Sequence, residues 1–145
     1  MKIRIIWVGK TKEVFVREGI EKYRRLVSPF CKLEIVEIRD SKEKNIEKAL
    51  QKEGERIFKA SPRFVLLGEK GRELTSVQFS DFVQRSHGED FVIGGPYGVS
   101  DEVKEKASGV ISLSKMTFTH EISRIIVLEQ IYRAFTIMNK RGYHH

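Results

Sequence analysis

Five short β-rich runs separated by helical patterns constrain this chain more than any other feature. The runs are "KIRIIWVG" (2–9), "KLEIVEI" (32–38), "RFVLLG" (63–68), "DFVIGG" (90–95) and "GVISLS" (109–114). Helical periodicity fills the intervals, at about 13–27, 42–59, 75–87 and 100–107, and a long stretch follows at about 120–139. Regular strand–helix alternation gives an α/β fold with a mostly parallel sheet flanked by helices. "FVLL" and "VISL" are nearly continuous apolar runs, as parallel strands covered on both faces require. "KLEIVEI" alternates instead, which places it nearer an edge. At 145 residues the chain suits a single domain, 1–145, with a real core.

Boundary signals support the helices. Thr75 or Ser76 can cap one, and Ser100 or Asp101 another, with acids in the first turn. The last helix carries Ile122, Ile125, Ile126, Leu128, Ile131, Tyr132, Phe135 and Met138, mostly three or four apart. That stripe is too wide for one partner surface, and predicts one face on the sheet and another on a second subunit.

Composition narrows the function classes. No apolar run approaches the ~20 residues of a membrane-spanning helix. The start "MKIRIIWVGK" is broken by charges and lacks a cleavage site, so it reads as a strand and not as a signal peptide. A lone Cys31 cannot form an internal disulfide, which fits a reducing cytoplasm and a buried filler role. Net charge is +7 and uneven: residues 1–28 hold eight Lys/Arg against three acids, residues 61–114 are net acidic, and residues 115–145 are basic again. Basic ends suit a nucleic-acid partner, but ordinary solubilising charge accounts for them equally well.

Ligands of open parallel sheets bind at the carboxyl ends of strands. Three strand ends leave for loops of small or polar residues: "LLGEKGRE" (66–73), "IGGPYGVS" (93–100) and "SLSKMTFTHE" (112–121). Together they suggest a shared pocket. A dinucleotide-phosphate cradle is a poor reading of 94–98, because the order is G-G-P-Y-G and Pro96 removes an amide N–H. "GEKGRE" lacks the Gly-Lys-Ser/Thr of a P-loop. Two readings stay open for the glycines: a tight turn, or a backbone kept bare for a flat organic ligand. No Cys/His cluster has metal spacing, and no covalent nucleophile stands out.

Taken together, "VIGGPYGVS" (92–100), "ISLSKMTFTHE" (111–121), "RIIVLEQIYRAFTI" (124–137) and the ending "GYHH" resemble the bacterial RlmH (YbeA) rRNA methyltransferase family of the SPOUT superfamily. The start "MKIRIIWVGK" and "QKEGERI" (51–57) fit it too, so the resemblance covers the whole chain. It implies a SPOUT-type α/β knot, in which the C-terminal part threads a trefoil. It also implies transfer of a methyl group from S-adenosylmethionine (SAM) to N3 of a pseudouridine in 23S rRNA of the assembled ribosome, by a cytoplasmic homodimer without metal or membrane. Mapped by motif, the SAM site comprises Leu67, Gly95 and the stretch Leu113, Ser114, Lys115, Met116, Thr117 and Phe118. Plain core packing is the competing reading for Met116 and Phe118, and a solvated side chain for Lys115. The family commonly has a proline before the histidine; here Thr119 precedes His120, and it can serve as an N-cap instead.

Methyl transfer to a ring nitrogen calls for positioning, a base for the N3 proton and groups that stabilise the charge left on the ring. Histidine suits the base near neutral pH. His144, beside Tyr143 in the tail and delivered to a partner's pocket, is the first candidate, with Arg133 as a third catalytic residue. Arg124 and Arg133 lie nine apart, on opposed sides of one helix, and so serve different tasks. Arg124, Lys140 and Arg141 are the candidate RNA contacts. His120 reads as a loop or dimer-contact residue and His87 as a surface helix residue; His145 is either native or a tag remnant.

Overall fold

The computed structural model of the protein describes residues 1–86 and 89–145. The elements in order are β1 (Lys2–Val8), α1 (Val14–Val27), β2 (Lys32–Ile38), α2 (Ile46–Ala60), β3 (Phe64–Glu73), α3 (Ser76–Arg85), β4 (Asp90–Ile93), α4 (Asp101–Lys106), β5 (Gly109–Ser112) and α5 (His120–Met138). The strands form one sheet in the order β2-β1-β4-β3-β5, with every pairing parallel. All five carboxyl ends therefore share one edge of the sheet.

Pleating divides the apolar residues between two layers. Ile3, Ile5 and Trp7 of β1 face a core shared with α1, α3 and α5, while Ile6 and Val8 face a second core with α2 and α4. β2 is an edge strand, as its alternation predicts. β5 is the other edge, despite its apolar composition. Its two faces are nonetheless covered, Ile111 packing into one core and Val110 against the other.

Local chemistry sets the helix starts. Asn45 accepts from the N–H of Lys48 and starts α2 at Ile46, four residues later than the periodicity predicts. Thr75 and Gln78 form a reciprocal capping box at α3, and Ser100 caps α4. The expected end of α3 and the surface position of His87 lie outside the described residues. Part of the α5 stripe is covered within the chain: Val127, Leu128, Ile131 and Phe135 share one core with Val16 and Ile20 of α1, Phe79 and Val83 of α3, and the sheet. Ile122, 37% exposed, and Ile126 lie outside that core.

One expected loop is a strand. β3 continues through "GEKGRE" to Glu73, and both Leu67 and Arg72 pair with Ile111 of β5. The four residues between them bulge out of the ladder. Gly71 permits the return, because a Cβ there would lie 2.6 Å from the carbonyl carbon of Val110.

Candidate active site

β4, β3 and β5 are adjacent in the sheet, so the loops after β4 and β5 and the bulge in β3 lie on neighbouring strands. β1 lies beside β4; its connection runs outward to β2, whereas that of β4 runs the other way to β5. A crevice at such a reversal is where open α/β sheets place ligands.

At the end of β4 the glycines have different jobs. Gly95 and Gly98 close a tight turn across Pro96 and Tyr97, with the N–H of Gly98 donating to the carbonyl of Gly95 at 3.0 Å. Proline suits the second position of such a turn. Gly98 has φ of 77°, and a Cβ on Gly94 would lie 2.8 Å from the backbone of Gly98. The turn itself requires those two. Gly95 is buried, lacks a positive φ, and a Cβ there would meet nothing closer than Val8 Cγ1 at 3.7 Å. Nothing among the described residues demands a glycine at 95.

The loop after β5 is held by its own serines. Ser112 Oγ donates to the carbonyl of Ser114 at 2.8 Å, and Ser114 Oγ accepts from the N–H of Met116 at 2.9 Å. Leu113 and Leu67 are half-buried against the core, while Lys115 and Thr117 are exposed. Met116 is 75% exposed and Phe118 37%. Core packing therefore does not explain Met116, which presents an apolar surface beside Gly95's end of the sheet. Thr119 Oγ1 accepts from the N–H of Ile122 and caps α5, the role expected of it.

The first turn of α5 is anchored by two charges. Arg124 is fully buried, donates to Thr11 Oγ1 at 2.7 Å and to the carbonyl of Val8 at 2.8 Å, and stacks over Trp7. The expected RNA contact by Arg124 is thus overturned, because a side chain without solvent exposure cannot reach a phosphate. Glu121 accepts from the N–H groups of Lys12 and Glu13, capping α1, whose own N-cap residue makes no side-chain cap. Burial alone would raise the Glu121 pKa; those two N–H groups and the charge of Arg124 outweigh it and hold the carboxyl below its ordinary range. His120, half-buried and near Arg124, is held below the usual histidine range by burial first and by that charge second.

The tail residues come together around Glu129. Arg133 pairs with its Oε1 at 2.6 Å and Tyr143 Oη donates to the same oxygen at 3.0 Å. The Arg133 guanidinium lies over the Tyr143 ring and donates to His144 Nδ1 at 3.0 Å. A guanidinium cannot accept, so Nδ1 uses its lone pair here and the ring proton sits on Nε2. Burial and the Glu129 bond push the Tyr143 hydroxyl up to about 12. No sequence motif singles out Glu129, although its spacing of four from Arg133 is that of a common helix ion pair.

This cluster and the loops lie at opposite ends of the sheet. Arg124 reaches the carboxyl end of β1, whereas Phe135 stacks on Phe30, just before β2 begins, and Arg141 lies over the same ring. From the Thr119 cap to Arg133 the helix rises roughly 20 Å. Lys140 and Arg141 are exposed at the tail's end.

The family described as "Predicted SPOUT methyltransferase" matches residues 1–144. The protein named "Ribosomal RNA large subunit methyltransferase H" from Geobacter sulfurreducens is 46% identical over the whole of both chains, and that from Trichlorobacter lovleyi 45%. The protein of the same name from Thermodesulfovibrio yellowstonii is 43% identical over 99% of each chain. With the match running almost end to end over one parallel α/β sheet, the chain belongs to the SPOUT methyltransferase family.

Proposed function

We propose that the chain is a SAM-dependent methyltransferase acting on N3 of a pseudouridine in 23S rRNA of the assembled ribosome, working as a homodimer with a trefoil-knotted C-terminal part. The similar proteins named as large-subunit rRNA methyltransferases support the reaction and the substrate class. One observation carries the cofactor reading: Gly95 is bare where neither backbone conformation nor packing requires it. A flat ligand lying on that backbone supplies the reason. Leu67, Leu113, Met116 and Phe118 then form apolar walls, and the serine-braced stretch 113–118 offers main-chain groups for an adenine edge. These residues fit SAM, which when bound supplies an electrophilic methyl carbon.

The chain's own groups have to orient the base, exclude water and take the N3 proton. Within one chain the tail lies about 20 Å from the loops, so His144, Tyr143 and Arg133 serve the pocket of a partner subunit. Exposed apolar side chains near the loops, Val14, Phe15 and Ile122, suit such a partner. His144 becomes a base once Nδ1 leaves Arg133. Arg133 is then free to stabilise negative charge on the ring, and Tyr143, with its raised pKa, acts as a hydrogen-bond donor.

The test is mass mapping of 23S rRNA from a strain lacking this gene, with and without the gene restored. The methyl group on the target pseudouridine is expected to vanish and return; its persistence in the deletion strain would refute the assignment. Calorimetry with SAM checks the cofactor separately, and absence of binding at millimolar SAM would count against any SAM-dependent reading.

A further inference from the structure

A second feature of the carboxyl edge is not used by the methyl-transfer site. Where β2 ends, the loop 39–45 and the first turns of α2 enclose an open cleft of about 780 Å³. Its lining includes Arg39, Lys42, Lys44, Lys48, Lys52 and Arg56, against two acids, Asp40 and Glu43. Summed along the sequence, residues 39–56 are nearly neutral. The fold sorts them. Lys48, Lys52 and Arg56 recur every four residues and so share one side of α2. Glu53 is buried and accepts from the N–H of Ser41, while Glu47 and Glu55 do not line the cleft.

Part of this charge builds the cleft and part is spare. Lys42 pairs with Asp40, Lys52 with Glu43, and Arg56 donates to the carbonyl of Arg39 at 2.7 Å, stapling the loop to the helix. Arg39, Lys44 and Lys48 are exposed and make no ion pair among the described residues. Three unneutralised cations held on a stapled loop and one helix face repel one another, and the arrangement gains when a polyanion neutralises them. Position identifies which polyanion. β2 is two strands from β4, roughly 10 Å across the sheet, and both end at the same edge. Lys10 and Lys12, exposed after β1, lie between.

We infer that this cleft docks the phosphodiester backbone of the rRNA close to the target base, holding the substrate against the edge that carries the cofactor loops. The inference rests on the rRNA methyltransferase reading above. It gives the chain a sequence-independent grip that orients the RNA while the base enters the pocket.

The test is the triple variant Arg39→Gln, Lys44→Gln, Lys48→Gln, whose three sites are exposed and outside the core. Binding to assembled ribosomes is measured across a series of KCl concentrations, and SAM binding by calorimetry. The variant should keep its SAM affinity and lose roughly tenfold or more in ribosome affinity. Its log–log salt slope should fall by about two to three, at 0.7–0.9 for each lost phosphate contact. Unchanged affinity and slope in a variant that binds SAM would overturn the docking surface alone. Lower affinity with an intact slope would mean that the cleft grips a ribosomal protein, which also overturns it. Should the unmodified protein bind SAM but not the assembled ribosome, or neither, the substrate reading itself fails and the inference falls with it.

Discussion

Gly94, Gly95 and Gly98 lie within five residues yet answer to different constraints. Two are fixed by contact or by φ; the third is free by every internal criterion. Gly95→Ala should therefore leave the thermal midpoint within a few degrees of the parent while weakening SAM binding at least tenfold, about 1.4 kcal/mol, read by calorimetry. Equal affinity would remove Gly95 from the pocket. Glu121 makes a different kind of prediction. Its folded pKa lies below the ordinary value of 4.5, so its stabilising effect is complete above that value and is lost as pH falls through the folded pKa. Glu121→Gln should cost about 1 kcal/mol at neutral pH and flatten the stability profile in that acid window, as measured by denaturant unfolding between pH 3 and 7. Sequence showed Gly95 as a member of a motif, but the contrast with its neighbours depends on atoms of Val8 and Gly98. The same limit applies to Arg124. Its charge suggests RNA, and only the close approach of Val8, Thr11 and Trp7 turns it into an internal anchor.

The ends of α5 illustrate what elements contribute. Thr119 starts the helix with a side-chain cap, and the last turn closes through the N–H of Arg141 on the carbonyl of Thr136 and that of Lys140 on Ile137. That pair of bonds is a Schellman closure, and it puts Lys140 at φ 53°, where glycine is usual. Lys140→Gly should stabilise the protein by about 0.5–1 kcal/mol, raising the thermal midpoint; a lower midpoint would contradict the closure. Strand and helix order was legible throughout, because periods of two and of about 3.6 residues differ strongly over these lengths. The misreadings have physical causes. Asn45 stops α2 from starting at Lys42, since its side chain caps the helix at the N–H of Lys48. Glycines at 68 and 71 read as a loop, yet they let β3 bulge and rejoin the same partner strand. Composition cannot separate those two outcomes.

Over the whole molecule, the candidate cofactor loops and the tail cluster occupy opposite ends of the sheet, a relation that no short motif encodes. Chain order makes the tail the immediate successor of α5, and α5 carries it away from the loops. The charge of the β2–α2 cleft was equally hidden, because near-neutral sums along the chain conceal sorting by helix face. Removing residues 143–145 should leave SAM affinity intact and reduce methylation of ribosomes at least a hundredfold, order of magnitude, if the tail supplies a general base. Full activity of the truncated chain would exclude it. In the proposed dimer the separation also makes each reaction centre a joint product of two polypeptides. A chain damaged at Gly95 and one lacking the tail are then individually inactive, yet a mixed pair rebuilds one intact centre out of two. Co-expression of the two defective alleles should restore part of the methylation that neither gives alone, so a genetic cross reads out which end of the molecule belongs to which neighbour.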